Sequence, residues 1–148
     1  MPLGRWSALL GLVGLAIAAY LAVAHYAAGQ VPLACSTSGL VNCEQVTSSP
    51  ESMLGPVPVA LLGVAWFGVF LGLLGLRAAP LPRLLWTGLG VAFVFYLVYA
   101  ELFLIGAICL WCTAVHGLVV GLFLLAVAEA ADQPASIRQG VGRQPGRS

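Results

Sequence analysis

Charge is what this sequence has least of. The 148 residues include no lysine, six arginines and five acidic residues, so that only 7% are charged and the net charge is +1. A soluble domain carries roughly 25% charged residues because water must solvate its surface. The 61% hydrophobic content excludes a disordered chain, and the weak net charge excludes a nucleic-acid-binding protein. The composition therefore predicts a protein surrounded mostly by membrane lipid.

Four long apolar stretches are the main structural signal. They cover residues 6–28, 58–76, 84–105 and 108–128. About 20 apolar residues cross a bilayer as a helix, so we predict an all-α membrane protein in which residues 1–131 form a bundle of four transmembrane helices. The first stretch has an alternative interpretation as a signal peptide cleaved near Ala22-Val23-Ala24. Its apolar run is longer than the roughly 7–15 residues of such signals, which favours a retained helix.

The arginines predict how the bundle is oriented. They are Arg5, Arg77, Arg83, Arg138, Arg143 and Arg147. With four crossings all six lie on one side, whereas the loop at 29–57 has no basic residue. Because cytoplasmic segments carry the excess of Lys and Arg, we expect this loop outside and both termini in the cytoplasm. The tail at 132–148, rich in Gln, Gly, Pro and Arg, is predicted to be disordered.

Four cysteines form two pairs that both fall on the predicted outer side. Cys35 and Cys43 lie in the outer loop, and Cys109 and Cys112 form a C-L-W-C motif at the start of the last helix. Disulfides persist in such an oxidising compartment. Three interpretations stay open: two structural disulfides, one four-thiolate metal site, or a redox relay. A C-x-x-C motif at a helix N-terminus favours a stabilised thiolate, and thus the relay. We expect no metal.

The thiol and imidazole side chains of the last helix fall on one face. At about 100° per residue, Cys109, Cys112 and His116 fall within an arc of roughly 60°, and Val120 and Phe123 continue this stripe inward. We predict that Cys112, His116, Val120 and Phe123 line a cofactor-binding face. An ordinary buried histidine of the bundle is an equally good interpretation of His116.

Two further ionisable residues lie in predicted helices. Glu101, near the end of the third helix, could belong to a proton path, since ionisable groups inside membranes are costly and often functional. Alternatively it reaches the outer interface. His25, near the outer end of the first helix, is predicted to be interfacial.

Several motifs together resemble one known family. They are the segment YLVYAELFLIGAICLWC at 96–112, the Cys35-x7-Cys43 pair with Ser49 six residues beyond it, and the P-V-A-L-L-G run at 58–63. With the order of the two cysteine pairs, they resemble bacterial homologues of vitamin K epoxide reductase over roughly residues 6–130. The resemblance implies a four-helix bundle in the bacterial inner membrane.

The resemblance also implies an activity. Cys109 and Cys112 match the active-site pair of the family, Cys35 and Cys43 match its shuttle pair, and Ser49 matches a serine that hydrogen-bonds near the redox centre. The implied enzyme is a quinone-dependent thiol-disulfide oxidoreductase. It reoxidises an extracytoplasmic thioredoxin-like (DsbA-type) protein and reduces menaquinone or ubiquinone. The short tail leads us to expect a separate partner protein rather than a fused domain.

One residue departs from the animal members of this family. Animal enzymes carry a tyrosine four residues after the second active-site cysteine, where this chain has His116. A rival of another class is a structural or transport subunit of the membrane whose outer loops are stapled by disulfides.

Overall fold

The computed structural model describes most of the chain. The described residues are 2–27, 30–31, 33–35, 39–77 and 79–132. The predicted disordered tail lies outside them except for Asp132. Within the outer loop at 29–57, residues 29, 32 and 36–38 lie outside the described ranges.

The described residues form five α-helices. These are α1 (Pro2–Tyr26), α2 (Cys43–Thr47), α3 (Val59–Gly75), α4 (Pro80–Tyr99) and α5 (Leu110–Ala131). Short elements complete them: a 3₁₀ turn at Pro50–Ser52, an antiparallel hairpin of β1 (Met53–Leu54) and β2 (Val57–Pro58), and a π-helical turn at Ala100–Ile105. Each predicted long helix overlaps one of α1, α3, α4 and α5, with ends shifted by a few residues.

Three of the helices are long and apolar enough to cross a membrane, among the residues described. They are Leu3–Tyr26, Pro80–Ile105 and Leu110–Ala131, with 24, 26 and 22 residues. The remaining apolar helix, α3, has 17 residues and is therefore about 25 Å long. Because the hydrocarbon core is about 30 Å thick, α3 is at the short end of the spanning range, and the fourth crossing stays a prediction.

The core forms where the four long helices meet. Its buried members are Ala18, Phe67, Phe70, Val94, Val119 and Leu122. The α1 helix packs against α3 and α5, while α4 packs against α5. Gly14 lets α1 approach α3 closely, because a Cβ atom at this position would overlap the ring of Phe67. Large apolar side chains such as Phe95 and Leu124 remain exposed on the outward faces, as lipid contact requires.

The bundle has two chemically different ends. At one end Arg83, in the first turn of α4, forms an ion pair of 2.6 Å with Glu129 in the last turns of α5. At the other end, α2 and the hairpin pack over the termini of the long helices, together with both cysteine pairs. We call these the arginine end and the cysteine end.

Candidate functional site

Cys109 is the residue on which α5 begins. Gly106 adopts a left-handed conformation (φ 69°) and ends the π-helical turn, a geometry that costs a residue without a Cβ atom little. Three residues later Cys109 is the N-cap of α5, and its Sγ accepts a hydrogen bond from the backbone N–H of Cys112 at 3.2 Å. A thiol at a helix N-terminus meets free N–H groups and the positive end of the dipole, which stabilise a thiolate.

The hydrogen bonds around Cys109 change its acidity. The thiol of Cys112 donates to Cys109, and the backbone N–H groups of Cys112 and Trp111 add to this effect. Together they hold the pKa of Cys109 below its ordinary value of 9.0, although burial acts in the opposite direction. Cys109 is therefore suited to be a thiolate, which is the attacking or leaving form in disulfide exchange.

The loop cysteines are joined to each other. A disulfide links Cys35 and Cys43 across eight positions, with their Cα atoms 6.0 Å apart. Cys43 is the first residue of α2, which is capped by the Asn42 side chain accepting a hydrogen bond from the Gln45 N–H at 3.0 Å. Cys109 and Cys112 are free thiols. Only two thiols are free in this state, whereas a four-thiolate metal site needs all four.

The two cysteine pairs meet in one buried cluster. Cys43 and Cys109 are each 0% exposed and share this cluster, and Cys35 and Cys112 pack against it. Sulfur atoms can exchange only by contact, so a shared apolar cluster is the arrangement that transfer between the pairs requires.

Main-chain hydrogen bonds hold the loop against the start of α5. The N–H of Ile108 donates to the carbonyl of Leu40 at 2.8 Å, and the N–H of Asn42 donates to the carbonyl of Ile108 at 3.1 Å. Val41 thus forms a parallel bridge with Ile108. Since Asn42 precedes Cys43 and Ile108 precedes Cys109, this short ladder aligns one loop cysteine with one cysteine of the C-L-W-C motif.

An apolar cavity of about 380 Å³ opens beside the cluster. It lies between α1, α3, α4 and α5, and α2 with the 3₁₀ turn closes it at the cysteine end. Its lining is mainly aliphatic and aromatic. The lining residues with polar side chains are His25, Thr47, Glu51, Ser52, Trp66, Glu101, Cys112 and His116. A cavity of this size with few polar groups is typical of a site for a small organic molecule.

Three predicted site residues line this cavity. Cys112 and His116 reach it from α5, and Glu101 reaches it from the π-helical turn. His116 and Glu101 are buried, with 7% and 6% of their surface exposed. Glu101 therefore does not reach the outer interface, and its carboxyl group interacts with the backbone N–H of Cys109. Glu101 follows Leu97 by four residues and Val94 by seven, so helical spacing places it on the same cavity-lining face as these two residues.

Three other predicted site residues do not line the cavity that the described residues enclose. Val120 is exposed on α5, because the cavity faces Val119, one residue or about 100° away. Phe123 lies one turn deeper, where its ring packs against Gly88 of α4. The hydroxyl of Ser49 donates to the carbonyl of Val46 at 2.8 Å and so stabilises the end of α2. Contact of these residues with a cofactor remains a prediction.

The structure also adds residues that the sequence did not indicate. Glu51, Ser52 and Thr47 line the cavity from the folded outer loop, and Trp66 lines it from α3. His25, predicted to be interfacial, places its Nδ1 atom 3.0 Å from the carbonyl oxygen of Thr47. No local pattern identifies these loop residues, because their position depends on how the loop folds back over the bundle.

The fold and the site define a helical membrane protein arranged for thiol-disulfide chemistry, with two cysteine pairs in one cluster beside an apolar cavity. Residues 5–127 match the Vitamin K epoxide reductase family, and the chain belongs to this family, whose members are in general oxidoreductases. No individual curated protein matches the chain. The family membership predicted from the two cysteine pairs is thus confirmed.

Proposed function

We propose that this protein is a quinone-dependent thiol-disulfide oxidoreductase of the bacterial inner membrane. It takes two electrons from a separate extracytoplasmic thioredoxin-like (DsbA-type) protein, passes them from Cys35/Cys43 to Cys109/Cys112, and delivers them to menaquinone or ubiquinone. The observation that carries the proposal is one cluster at the edge of an apolar cavity, in which Cys43 and Cys109 are buried and against which Cys35 and Cys112 pack.

The proposed orientation has the cysteine end outside and the arginine end in the cytoplasm. Four crossings, with α3 as the shortest, put the arginines at one end and the two cysteine pairs at the other. The ion pair between Arg83 and Glu129 supports this division. Positively charged residues favour the cytoplasmic side.

The first step is exchange with the partner protein. Cys35 is half-buried, whereas Cys43 is fully buried, so Cys35 is the accessible end of the loop disulfide. A partner thiolate attacks Cys35 Sγ, and the Cys35–Cys43 bond breaks with Cys43 leaving as a thiolate. The second thiolate of the partner then attacks the partner sulfur of this mixed disulfide, and Cys35 leaves as a thiolate. The partner becomes a disulfide, and the loop pair gains two electrons.

The second step moves these electrons into the membrane pair. The Cys43 thiolate attacks Cys109 Sγ of a Cys109–Cys112 disulfide, and Cys112 leaves as a thiolate. Cys35 then attacks Cys43 Sγ, which re-forms the loop disulfide and releases Cys109. The low pKa of Cys109 makes it a good leaving group. The result is an oxidised loop with a free membrane pair, the state of the four cysteines in the structure.

The third step reduces the quinone substrate. The dithiol and the quinone become a disulfide and a hydroquinone, with two electrons and two protons transferred. Cys112 lines the cavity and is the cysteine that faces this substrate. His116 is positioned to donate a hydrogen bond to it, and the Glu101 carboxyl, close to Cys109 and on the cavity wall, is positioned to accept and return a thiol proton.

The decisive experiment is quinone reduction by purified protein in detergent. The electron donor is either a reduced thioredoxin-like protein or the small dithiol dithiothreitol, which can reach the membrane pair directly. We expect Cys35→Ala/Cys43→Ala to abolish turnover with the protein donor but retain it with dithiothreitol. Cys109→Ala/Cys112→Ala should abolish both. A structural or transport subunit would show no quinone reduction with either donor.

A further inference from the structure

Both main-chain polar groups of one outer-loop residue, Ala34, are held by side chains of the bundle. The indole Nε1–H of Trp111 donates to the carbonyl of Ala34 at 3.0 Å, and the N–H of Ala34 donates to the hydroxyl of Tyr20 at 3.3 Å. The rings of Tyr20 and Trp111 pack edge to face with centroids 5.4 Å apart. We call these two side chains the Ala34 latch.

The latch joins the parts of the molecule that exchange electrons. Ala34 directly precedes Cys35, and Trp111 lies between the two cysteines of the C-L-W-C motif. Cys43 directly follows Asn42, whose main-chain N–H donates to the carbonyl of Ile108. The latch is the corresponding support for Cys35, and it depends on side chains, so substitutions can remove it.

The relay makes two demands on Cys35. It must be accessible to a bulky partner protein, and it must afterwards reach Cys43 Sγ to resolve the disulfide between Cys43 and Cys109. If the backbone at Cys35 is not held, the mixed disulfide is attacked by Cys112 instead, which returns the electrons to the loop.

We propose that Tyr20 and Trp111 are positioning residues that hold Cys35 for this resolving step, an inference that rests on the proposed function. The Cys35 thiolate attacks Cys43 Sγ, the Cys35–Cys43 bond forms, the Cys43–Cys109 bond breaks, and Cys109 leaves as a thiolate. The latch acts on transfer between the pairs by holding the main chain beside Cys35, and neither of its side chains gives or takes electrons.

The test uses Trp111→Phe, which removes the N–H group but retains an aromatic ring, and Tyr20→Phe, which removes the acceptor. A matched control is Trp86→Phe. The Nε1–H of Trp86 also donates to a backbone carbonyl, that of Trp66 at 3.1 Å, but Trp86 packs against the hydrophobic core. The control therefore loses the same type of hydrogen bond away from the loop.

Turnover with the protein donor at saturating quinone is measured first. We expect kcat to fall about fivefold in Trp111→Phe, which corresponds to one neutral hydrogen bond, and to stay at the wild-type value in Trp86→Phe. Rapid acid quenching and alkylation during turnover should find more reduced or mixed-disulfide loop cysteines in Trp111→Phe and Tyr20→Phe. With dithiothreitol, in the Cys35→Ala/Cys43→Ala background, Trp111→Phe should reduce quinone at the parent rate.

Two results would contradict the proposed positioning role of Tyr20 and Trp111. One is a Trp111→Phe protein that matches Trp86→Phe in both turnover and loop redox state. The other is an equal loss with both electron donors, which would indicate general destabilisation. Failure of the proposed function looks different, because wild-type turnover would then not depend on the loop cysteines at all.

Discussion

Cys109 caps the helix that carries Cys112, and its Sγ accepts the backbone N–H of Cys112 at 3.2 Å. The apolar helix starts only at Leu110, so Cys109 stands at the boundary where the helix dipole and the Cys112 thiol both act on it. The same three-residue spacing puts Cys112 on the cavity wall. One turn of chain thus gives the two cysteines different environments.

This relationship predicts a pH dependence for Cys109. Because its pKa is lowered, the thiolate should persist below pH 9.0 and disappear only when the pH falls through the lowered value. Ultraviolet absorbance of the thiolate, measured during a pH titration with the loop disulfide intact, checks this. Cys112→Ala removes the thiol that is the largest cause of the shift, and should move the transition to higher pH. An unchanged transition in Cys112→Ala, or its persistence in Cys109→Ala, contradicts the assignment.

Much of this architecture could be predicted from local sequence. Four apolar runs predicted the long helices, and the position of C-L-W-C after Gly106 predicted a helix N-terminus at the second cysteine pair. These signals are local, because hydrophobic run length and helix capping depend on neighbouring residues. The predicted start of the last helix, at residue 108, differs from Leu110 by two residues, namely Ile108, which pairs with Val41 of the loop, and the N-cap Cys109.

The rest depends on contacts between distant segments. Uniform helical periodicity through residue 105 did not reveal the π-helical turn at Ala100–Ile105. The predicted stripe through Val120 and Phe123 lies on the helix that lines the cavity. However, the cavity is lined by Val119 instead of Val120, and it does not extend to Phe123. The turn-rich loop gave no sign that Glu51 would line the cavity. That placement depends on α2 and the hairpin packing over the bundle.

His116 provides a test of the cavity face. His116→Leu retains apolar volume but removes the hydrogen-bond donor, so quinone turnover should fall about tenfold to a hundredfold, as expected when a hydrogen bond of roughly 1.5–3 kcal/mol to a group gaining charge is lost. His116→Tyr should recover part of this loss. Leu124→Val, on the exposed side of α5, is the control and should leave turnover unchanged. Normal turnover and quinone affinity in His116→Leu would show that His116 is an ordinary buried histidine of the bundle.

The orientation of the bundle can be tested with reporter fusions. A reporter active only in the cytoplasm should work when fused after Ser148 and be silent when inserted at Ser38, since all six arginines lie on the predicted cytoplasmic side. The reverse pattern of activity would invert the membrane orientation, and activity at both sites would require an even number of crossings between Ser38 and Ser148 in place of the predicted three.

The central claim is direct exchange between Cys43 and Cys109, and a trapped mixed disulfide tests it most directly. Cys112→Ala removes the resolving thiol of the membrane pair, and Cys35→Ala removes that of the loop, so the double variant retains only the two fully buried cysteines. After mild oxidation, non-reducing electrophoresis and peptide mapping should find a Cys43–Cys109 disulfide in nearly all molecules. The matched variant Cys43→Ala/Cys112→Ala retains Cys35 and Cys109 instead, and it should form far less of the disulfide between its two remaining cysteines. Efficient coupling of Cys35 to Cys109, with little between Cys43 and Cys109, would contradict the account.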